Sequence, residues 1–425
     1  MSLHYPFPVI RTIDDVLPHI DDNFRVVEKE GLTFINYNFM GPEVFPHIQR
    51  PEVVNVLTDH AAHRAAVRRE CRGITFDTAS GQIVSRPFHK FFNAGEREDV
   101  SLDKIDVGRP HLLVEKLDGS MIRPLDTGMG FRWGTKMGIT DVGMLAEEFV
   151  AAKTAERDTG YLDVAHYCRG NGLTPLFEFC SRRSRIVVDY PVETMVLLAI
   201  RDTVTGEYMD RHMVRALAGT FGVPVVENVD VAARQRPEED HFLEAVSDLD
   251  TVMGGIRDAD EGEGKILLFE DGHAVKIKSD WYVRVHRAKD MMRSEMRLLA
   301  LFFNDELDDL MATIGGEDRR RIEAYLSSFN EALGLLQDRI FVQYNQVRST
   351  YETKKDFALS GKLSPPWRSL VFRLWDAKHP DATEAARLVI INAMTSETRF
   401  AQMKADFHLE TGWDDVWAND MEDVA

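Results

Sequence analysis

The sequence predicts an α+β domain built on antiparallel sheets, followed by an all-helical domain. From about residue 30 to 285, short apolar runs are broken by turn signals. After about 290 the apolar residues recur at steps of three and four. The 425 residues, 44% of them hydrophobic, are enough for two such cores.

In chain order, Phe34-Ile35-Asn36-Tyr37 and Gly73-Ile74-Thr75-Phe76 read as strands, and Leu112-Leu113-Val114 as a strand entering a core. Residues 141–170, 208–221 and 238–253 read as helices. Leu176-Phe177-Glu178-Phe179, the run from Met195 to Ile200, and Lys265-Ile266-Leu267-Leu268-Phe269 are further strands. Then Ile322, Leu326, Phe329, Leu333, Leu336, Ile340, Tyr344 and Val347 form one stripe, which predicts an amphipathic helix over 317–349 with Gly334 inside it. Residues 296–312 and 381–395 are expected to be helical, with a break at Pro365-Pro366. The expected domains are 1–285 and 286–425.

Lys and Arg number 51 against 70 Asp and Glu, a net charge of −19. That balance disfavours a generic nucleic-acid binder. The acid is uneven, concentrated in 227–263 and 405–425, while 61–92 and 272–293 are basic islands where an anionic ligand could dock. Cys71, Cys168 and Cys180 give no disulfide framework or metal spacing, which fits a reducing compartment. No signal peptide and no apolar run of membrane-spanning length stand out. A soluble, cytoplasmic, monomeric protein is expected.

The chemistry centres on Glu115-Lys116-Leu117-Asp118-Gly119-Ser120. Lys116 stands where a strand opens into an Asp-Gly turn. Partial burial there would lower its pKa and make it a nucleophile. Read alone, the string favours a plain strand-end lysine followed by an Asp-Gly turn, and only its spacing to the other motifs reverses that. Further on, alternation in His273-Ala274-Val275-Lys276-Ile277-Lys278 puts both lysines on one face. Glu178 likewise faces away from Phe177 and Phe179. A hairpin brings Glu263 of Glu263-Gly264-Lys265-Ile266 towards the two lysines. Three strands, each with a charge opposite an apolar face, make a cleft for a charged ligand.

The order Lys-x-Asp-Gly-Ser, Phe-Glu-Phe, Glu-Gly-x-apolar, Lys-x-Lys resembles the covalent nucleotidyltransferase superfamily of ligases and RNA-capping enzymes. Within it the chain resembles the bacteriophage RNA ligase 1 family. The narrower match rests on Glu70-Cys71-Arg72-Gly73, Ser85-Arg86-Pro87 with Lys90-Phe91-Phe92-Asn93, Arg185-Ile186-Val187, Thr205-Gly206-Glu207-Tyr208 and the run from Lys276 to Tyr282.

The resemblance implies an ATP-grasp-like nucleotidyltransferase domain over 1–285 and a helical domain for RNA selection. It implies ATP-dependent joining of RNA 5′-phosphate and 3′-hydroxyl ends with Mg²⁺, or Mn²⁺ in its place. Repair of nicked tRNA is the implied role, in the host cytoplasm where such a protein is phage-encoded. Lys116 is implied as the nucleophile that carries AMP, within the Asp118 motif. Glu178 is implied at the ribose, Tyr37, Arg72 and Lys90 at the triphosphate, and Lys276 and Lys278 at the α-phosphate. Lys136 and Tyr282 match further required positions. Glu263 matches the acid near lysine and metal, and Asp308 a metal-associated Asp.

Two departures stand out. Lys265-Ile266 replaces the usual aromatic and Val, and Glu261-Gly262 offers a rival register, although Glu263 has the family's spacing to Lys276. Arg123, in the loop after Ser120, replaces an uncharged polar residue, so acceptor contacts are expected to differ. A DNA ligase or capping enzyme would carry an OB-fold after the lysine pair, whereas helices follow here. A non-catalytic RNA-binding protein that retains only the fold would not need Lys116, Asp118, Glu178, Lys276 and Lys278 intact.

Overall fold

Most strands in the first part of the chain are buried over most of their length. The computed structural model describes residues 5–413 except 39–40, 49–59, 229–248, 305, 315 and 378–379. The chain divides into two compact units, Met1–Val283 and Arg284–Ala418.

In the first unit, β1 (Phe24–Lys29), β2 (Leu32–Tyr37), β3 (Arg72–Asp77) and β4 (Ile83–Ser85) form an antiparallel sheet in that order, with α1 (His60–Glu70) leading into β3. Next come β5 (His111–Lys116), β6 (Ser120–Asp126), β7 (Phe131–Gly134), α2 (Asp141–Ala155), α3 (Gly160–Gly170), β8 (Leu173–Cys180) and β9 (Thr194–Asp202). They are followed by α4 (Arg211–Phe221), α5 (Leu249–Arg257), β10 (Gly264–Phe269) and β11 (Ala274–Lys278), and then by α6 (Asp280–Met292), which begins in the first unit and continues into the second from Arg284.

One sheet has the order β11-β10-β5, another β7-β6-β8-β9. The turn between Lys116 and Ser120 therefore carries the chain from one sheet to the other. Gly119 is needed there, because a side chain would run into the Phe179 carbonyl. Phe177 and Phe179 of β8 pack with Trp133, Phe149 and Tyr161 in the core behind the second sheet. Val275 and Ile277 of β11 pack with Phe76, Phe92 and Leu267 in a separate core.

The helix expected over 141–170 is two helices. Arg157 takes a positive φ of 68° between them, which no continuous helix allows. The helix expected from 208 starts at Arg211, because Asp210 accepts the N–H groups of His212 and Met213 and caps it. Of the helix expected over 238–253, residues 238–248 lie outside the described residues.

The second unit contains α7 (Glu295–Phe303), α8 (Leu307–Thr313), α9 (Gly316–Thr350), α10 (Lys354–Leu359), α11 (Pro365–Asp376), α12 (Ala382–Ala393) and α13 (Glu397–Phe407). The stripe on α9 works as expected: Ile322, Phe329, Leu336 and Ile340 are buried in a core shared with α7, α11, α12 and α13. The helix expected over 296–312 breaks at Asn304, which caps α7. Pro365 and Pro366 stand in the first turn of α11, where a missing N–H costs nothing. Among the described residues, no helix is long and apolar enough to cross a membrane.

Candidate active site

Strand register builds the site. Lys116 of β5 and Lys278 of β11 both pair with Gly264 of β10, so the two lysines flank a position without a side chain. The next cavity-facing row is Val114, Ile266 and Lys276, and after it Leu112, Leu268 and Ala274. One sheet face thus grades from charged to apolar. The other sheet contributes Glu178 and Leu198, and between them lies a cavity of about 330 Å³. Its lining includes Tyr37, Arg72, Lys90, Lys116, Asp118, Lys136, Glu178, Glu263, Lys276, Lys278 and Tyr282. Asp308, the remaining expected site residue, is exposed in the first turn of α8, in the helical unit.

Glu263 is buried at the start of β10 and is ion-paired with Lys116, and with Lys278 at 3.4 Å. Glu261, the rival acid, is exposed. The expected lowering of the Lys116 pKa is overturned. Burial does oppose its charge, but Glu263 and then Glu178 outweigh burial and hold the ammonium above the usual lysine range. The lowered lysines are others. Burial, with Arg72 close by, brings Lys90 down to about 7. Burial, Lys90 and Arg72 push Lys276 well below its ordinary value. Burial also lifts the Glu178 carboxyl to about 8, against the pull of Lys116, so it is largely neutral at neutral pH. Its Oε1 accepts the Gly119 N–H at 3.2 Å.

Asp118 ties three segments together. Its Oδ2 accepts the N–H groups of Val187 and Val188 at 2.7 and 2.6 Å, and its Oδ1 accepts the Tyr282 hydroxyl at 2.7 Å. Its own N–H donates to the Tyr190 hydroxyl at 3.0 Å. Burial and Glu263 raise the Asp118 pKa, partly offset by these donors. With its oxygens so engaged, Asp118 positions its neighbours. Tyr37 stands between two lysines, with Lys90 Nζ 5.1 Å and Lys136 Nζ 5.8 Å from its ring centre. Lys276 lies 4.8 Å from the centre of the Phe91 ring.

The expectation for Arg123 is corrected. It lies on β6 rather than in a loop, is fully buried, and donates to Ser85 Oγ, the Thr135 carbonyl, the Gly73 carbonyl and Thr75 Oγ1. Its guanidinium knits β3, β4 and β6 and is not free for an acceptor strand.

Sequence reasoning missed the ionic core behind the site. Glu70 accepts from Arg86 Nε at 3.0 Å and from Arg201 Nη1 and Nη2 at 2.9 and 3.1 Å, all three residues almost fully buried. Burial opposes the Glu70 charge, yet Arg201 and Arg86 prevail and bring its pKa down to about 2. Gly206 takes a positive φ of 78° and leaves the Arg86 guanidinium room that a side chain would fill. Glu70 precedes Arg72 by two residues and Arg86 precedes Lys90 by four, so the network fixes the backbone that carries both cations. Also missed was the pairing of Lys265 with Glu115 directly across the strands, which accounts for a lysine in that place.

Residues 70–285, half of the chain, match the family model described as RNA ligase. A protein of Thermovibrio ammonificans bearing the name "Putative RNA ligase" is 29% identical over 309 residues, covering 71% of this chain and 72% of its own. RNA ligase 1 of bacteriophage TS2126 is 29% identical over 278 residues, 63% of this chain and 65% of the phage protein. A solved structure described as an archaeal ATP-dependent RNA ligase aligns with a TM-score of 0.41 at 15% identity, over 72% of each chain. With the family model spanning the strands that build this cavity, the chain belongs to the bacteriophage RNA ligase 1 family of RNA ligases.

Proposed function

We infer that the protein uses ATP to join an RNA 5′-phosphate to an RNA 3′-hydroxyl through a lysyl-AMP and an RNA-adenylate. The observation that carries this is Lys116, paired with Glu263 in a cavity that also holds Arg72, Lys90, Lys136, Lys276 and Lys278. A triphosphate brings several negative charges, and phosphoryl transfer needs chiefly positioning and charge stabilisation. The bank of cations supports that role, and the apolar end around Val114, Ile266 and Leu198 suits a base.

In the first step Lys116 Nζ bonds to the α-phosphorus of ATP and pyrophosphate leaves. The proton on Nζ has an acceptor in Oε2 of Glu263, to which it is already hydrogen-bonded. In the second step an oxygen of the RNA 5′-phosphate attacks the same phosphorus, and the Nζ–P bond breaks. In the third, the 3′-hydroxyl attacks the activated 5′-phosphate and AMP leaves. Glu178, neutral near pH 7, can donate a hydrogen bond to a ribose hydroxyl.

Glu263 is also the carboxylate that best fits Mg²⁺ or Mn²⁺, since such hard cations take one or two carboxylates and leave their other positions to water and substrate phosphate. Among the described residues there is no cluster of three acidic, His or Cys side chains that could hold a metal ion. When bound, the cation would neutralise phosphate charge.

Incubation with labelled ATP and Mg²⁺ should leave AMP on the protein. Lys116→Ala should form no adduct, yet still seal pre-adenylylated RNA. Equal loss of both activities, with circular dichroism unchanged, would sink the nucleophile role. Nicked tRNA is the substrate we propose, in an RNA-repair role, and joining rates on cleaved tRNA, linear RNA and DNA test it.

A further inference from the structure

The segment that follows β8 carries three arginines, of which two are neutralised. Arg182 makes a two-pronged pair with Asp189 at 2.6 and 2.8 Å. Arg183 pairs with Glu148 and Glu193, each at 2.7 Å. Arg185 has no carboxylate partner among the described residues. Its Nε donates to the Val187 carbonyl at 3.1 Å, which fixes the plane of the guanidinium, and among the described residues its Nη groups have no hydrogen-bond partner. It is half-buried, not a freely rotating surface side chain.

The backbone around it is held firmly. Val187 and Val188 donate to Asp118, itself buried, and Tyr190 accepts from the Asp118 N–H. The residue next to Arg185, Ile186, lines the cavity that holds Lys116. So an uncompensated, oriented guanidinium is anchored beside the nucleotide cavity of a protein of net charge −19. The acidic bulk repels polyanions in general, which makes one local unpaired cation a selective contact. A guanidinium fork matches phosphate oxygens.

We propose that Arg185 is an RNA-binding residue that grips a backbone phosphate of the 5′-phosphorylated strand beside the Lys116 cavity. It contributes to RNA binding and takes no part in the attack on ATP. The inference rests on the ligase reading above.

The test uses the full-length protein with Arg185→Ala, Arg185→Lys and, as a paired neighbour, Arg183→Ala. AMP-adduct formation by Arg185→Ala should stay within about twofold of wild type. Its KM for a 5′-phosphorylated oligoribonucleotide should rise about tenfold, the loss of one charge-assisted contact. The dependence of log kcat/KM on log salt should become shallower by about 0.7, the value for one phosphate contact to a single strand. Arg185→Lys should restore that slope, because it keeps the charge, while recovering only part of the KM. Arg183→Ala should change neither quantity. An unchanged KM and slope in Arg185→Ala would overturn the proposal. So would loss of the AMP adduct in that variant, since Arg185 would then serve the nucleotide or the fold. A wild-type protein that forms no AMP adduct would instead refute the ligase reading, and this inference with it.

Discussion

Lys276 and Lys278 leave β11 on the same face yet meet different neighbours. Lys278 pairs with Glu263 and lies 5.0 Å from the Tyr282 ring centre, while Lys276 stands over Phe91, near Lys90 and Arg72. Each Ala variant should lose roughly tenfold to a hundredfold in adenylylation rate, the worth of one charge-assisted contact to phosphate. Near-wild-type rates in both would mean that the strand only guards a sheet edge. Lys90 gives a pH prediction. With its pKa at about 7, it is charged below that pH and neutral above it. Phosphate favours the charged form, so ATP should bind more weakly as pH climbs from about 6 to 9. Titrating Lys116→Ala with ATP measures this without turnover. A Lys90→Met background should make the dependence shallower and leave the part due to Glu178, whose carboxyl at about 8 ionises in the same window, whereas the same slope in both backgrounds would take Lys90 out of the account. At this scale the sequence was a good guide to direction and a poor one to charge state. Period-two alternation put Lys276, Lys278 and Glu178 on the cavity side because a strand allows two faces only. The Lys116 pKa was misread because burial is outweighed only by its carboxylate neighbours together, Glu263 and then Glu178, and Glu263 lies 147 residues away.

The strands and the loops between them carry the site only because something rigid holds them from behind. Glu70 at the end of α1, Arg86 after β4 and Arg201 on β9 share one buried ionic knot. Removing the carboxylate leaves two buried guanidinium groups with less compensation. Glu70→Gln should therefore cost about 3–5 kcal/mol, the range for breaking a buried ion pair. The pH dependence adds a second readout. The Glu70 pKa is depressed from 4.5 to about 2, so its stabilisation is present above 4.5 and lost as pH falls from there through about 2. Wild-type protein should lose melting temperature across that window, and Glu70→Gln should lose less of it. Thermal unfolding followed by circular dichroism across the acid range decides, and parallel profiles would remove Glu70 from the account. The strands that form this frame were legible as apolar runs between turn signals. The knot was not, because Glu70 and Arg201 are 131 residues apart and a lone Glu or Arg carries no periodic signal. Breaks such as Arg157, where α2 gives way to α3, were hidden for a related reason: the composition of 141–170 suits a helix throughout, and tertiary packing decides where it turns.

The two units have separate cores, and the residues we assign to nucleotidyl transfer all line a cavity within the first. The helical unit buries its own apolar stripe, with Ile322, Phe329 and Leu336 fully enclosed. A body that folds around its own core and, among the described residues, contributes none of the cavity lining is suited to choosing the substrate. Structured RNA is read by shape and backbone contacts, which a helical surface can provide. The chain should therefore tolerate removal of this unit for the first chemical step. The position of the cut matters. Tyr282, at the start of α6, donates its hydroxyl to Asp118, so α6 must be kept to its end at Met292. Met292 and Ala288 pack in the helical core and would be laid bare. A chain ending at Arg293 with Met292→Gln exposes less apolar surface and is the better form to test. It should form the AMP adduct and join linear RNA at rates within a few-fold of the full chain. Its preference for a nicked stem-loop over linear RNA should fall towards none. Soluble yield is measured first, then adduct formation, then the ratio of the two joining rates. A soluble truncation with an unchanged ratio would move substrate choice into the catalytic unit, where Arg185 is the first residue to examine. A soluble truncation that cannot adenylylate would mean that the helices hold the active site in shape.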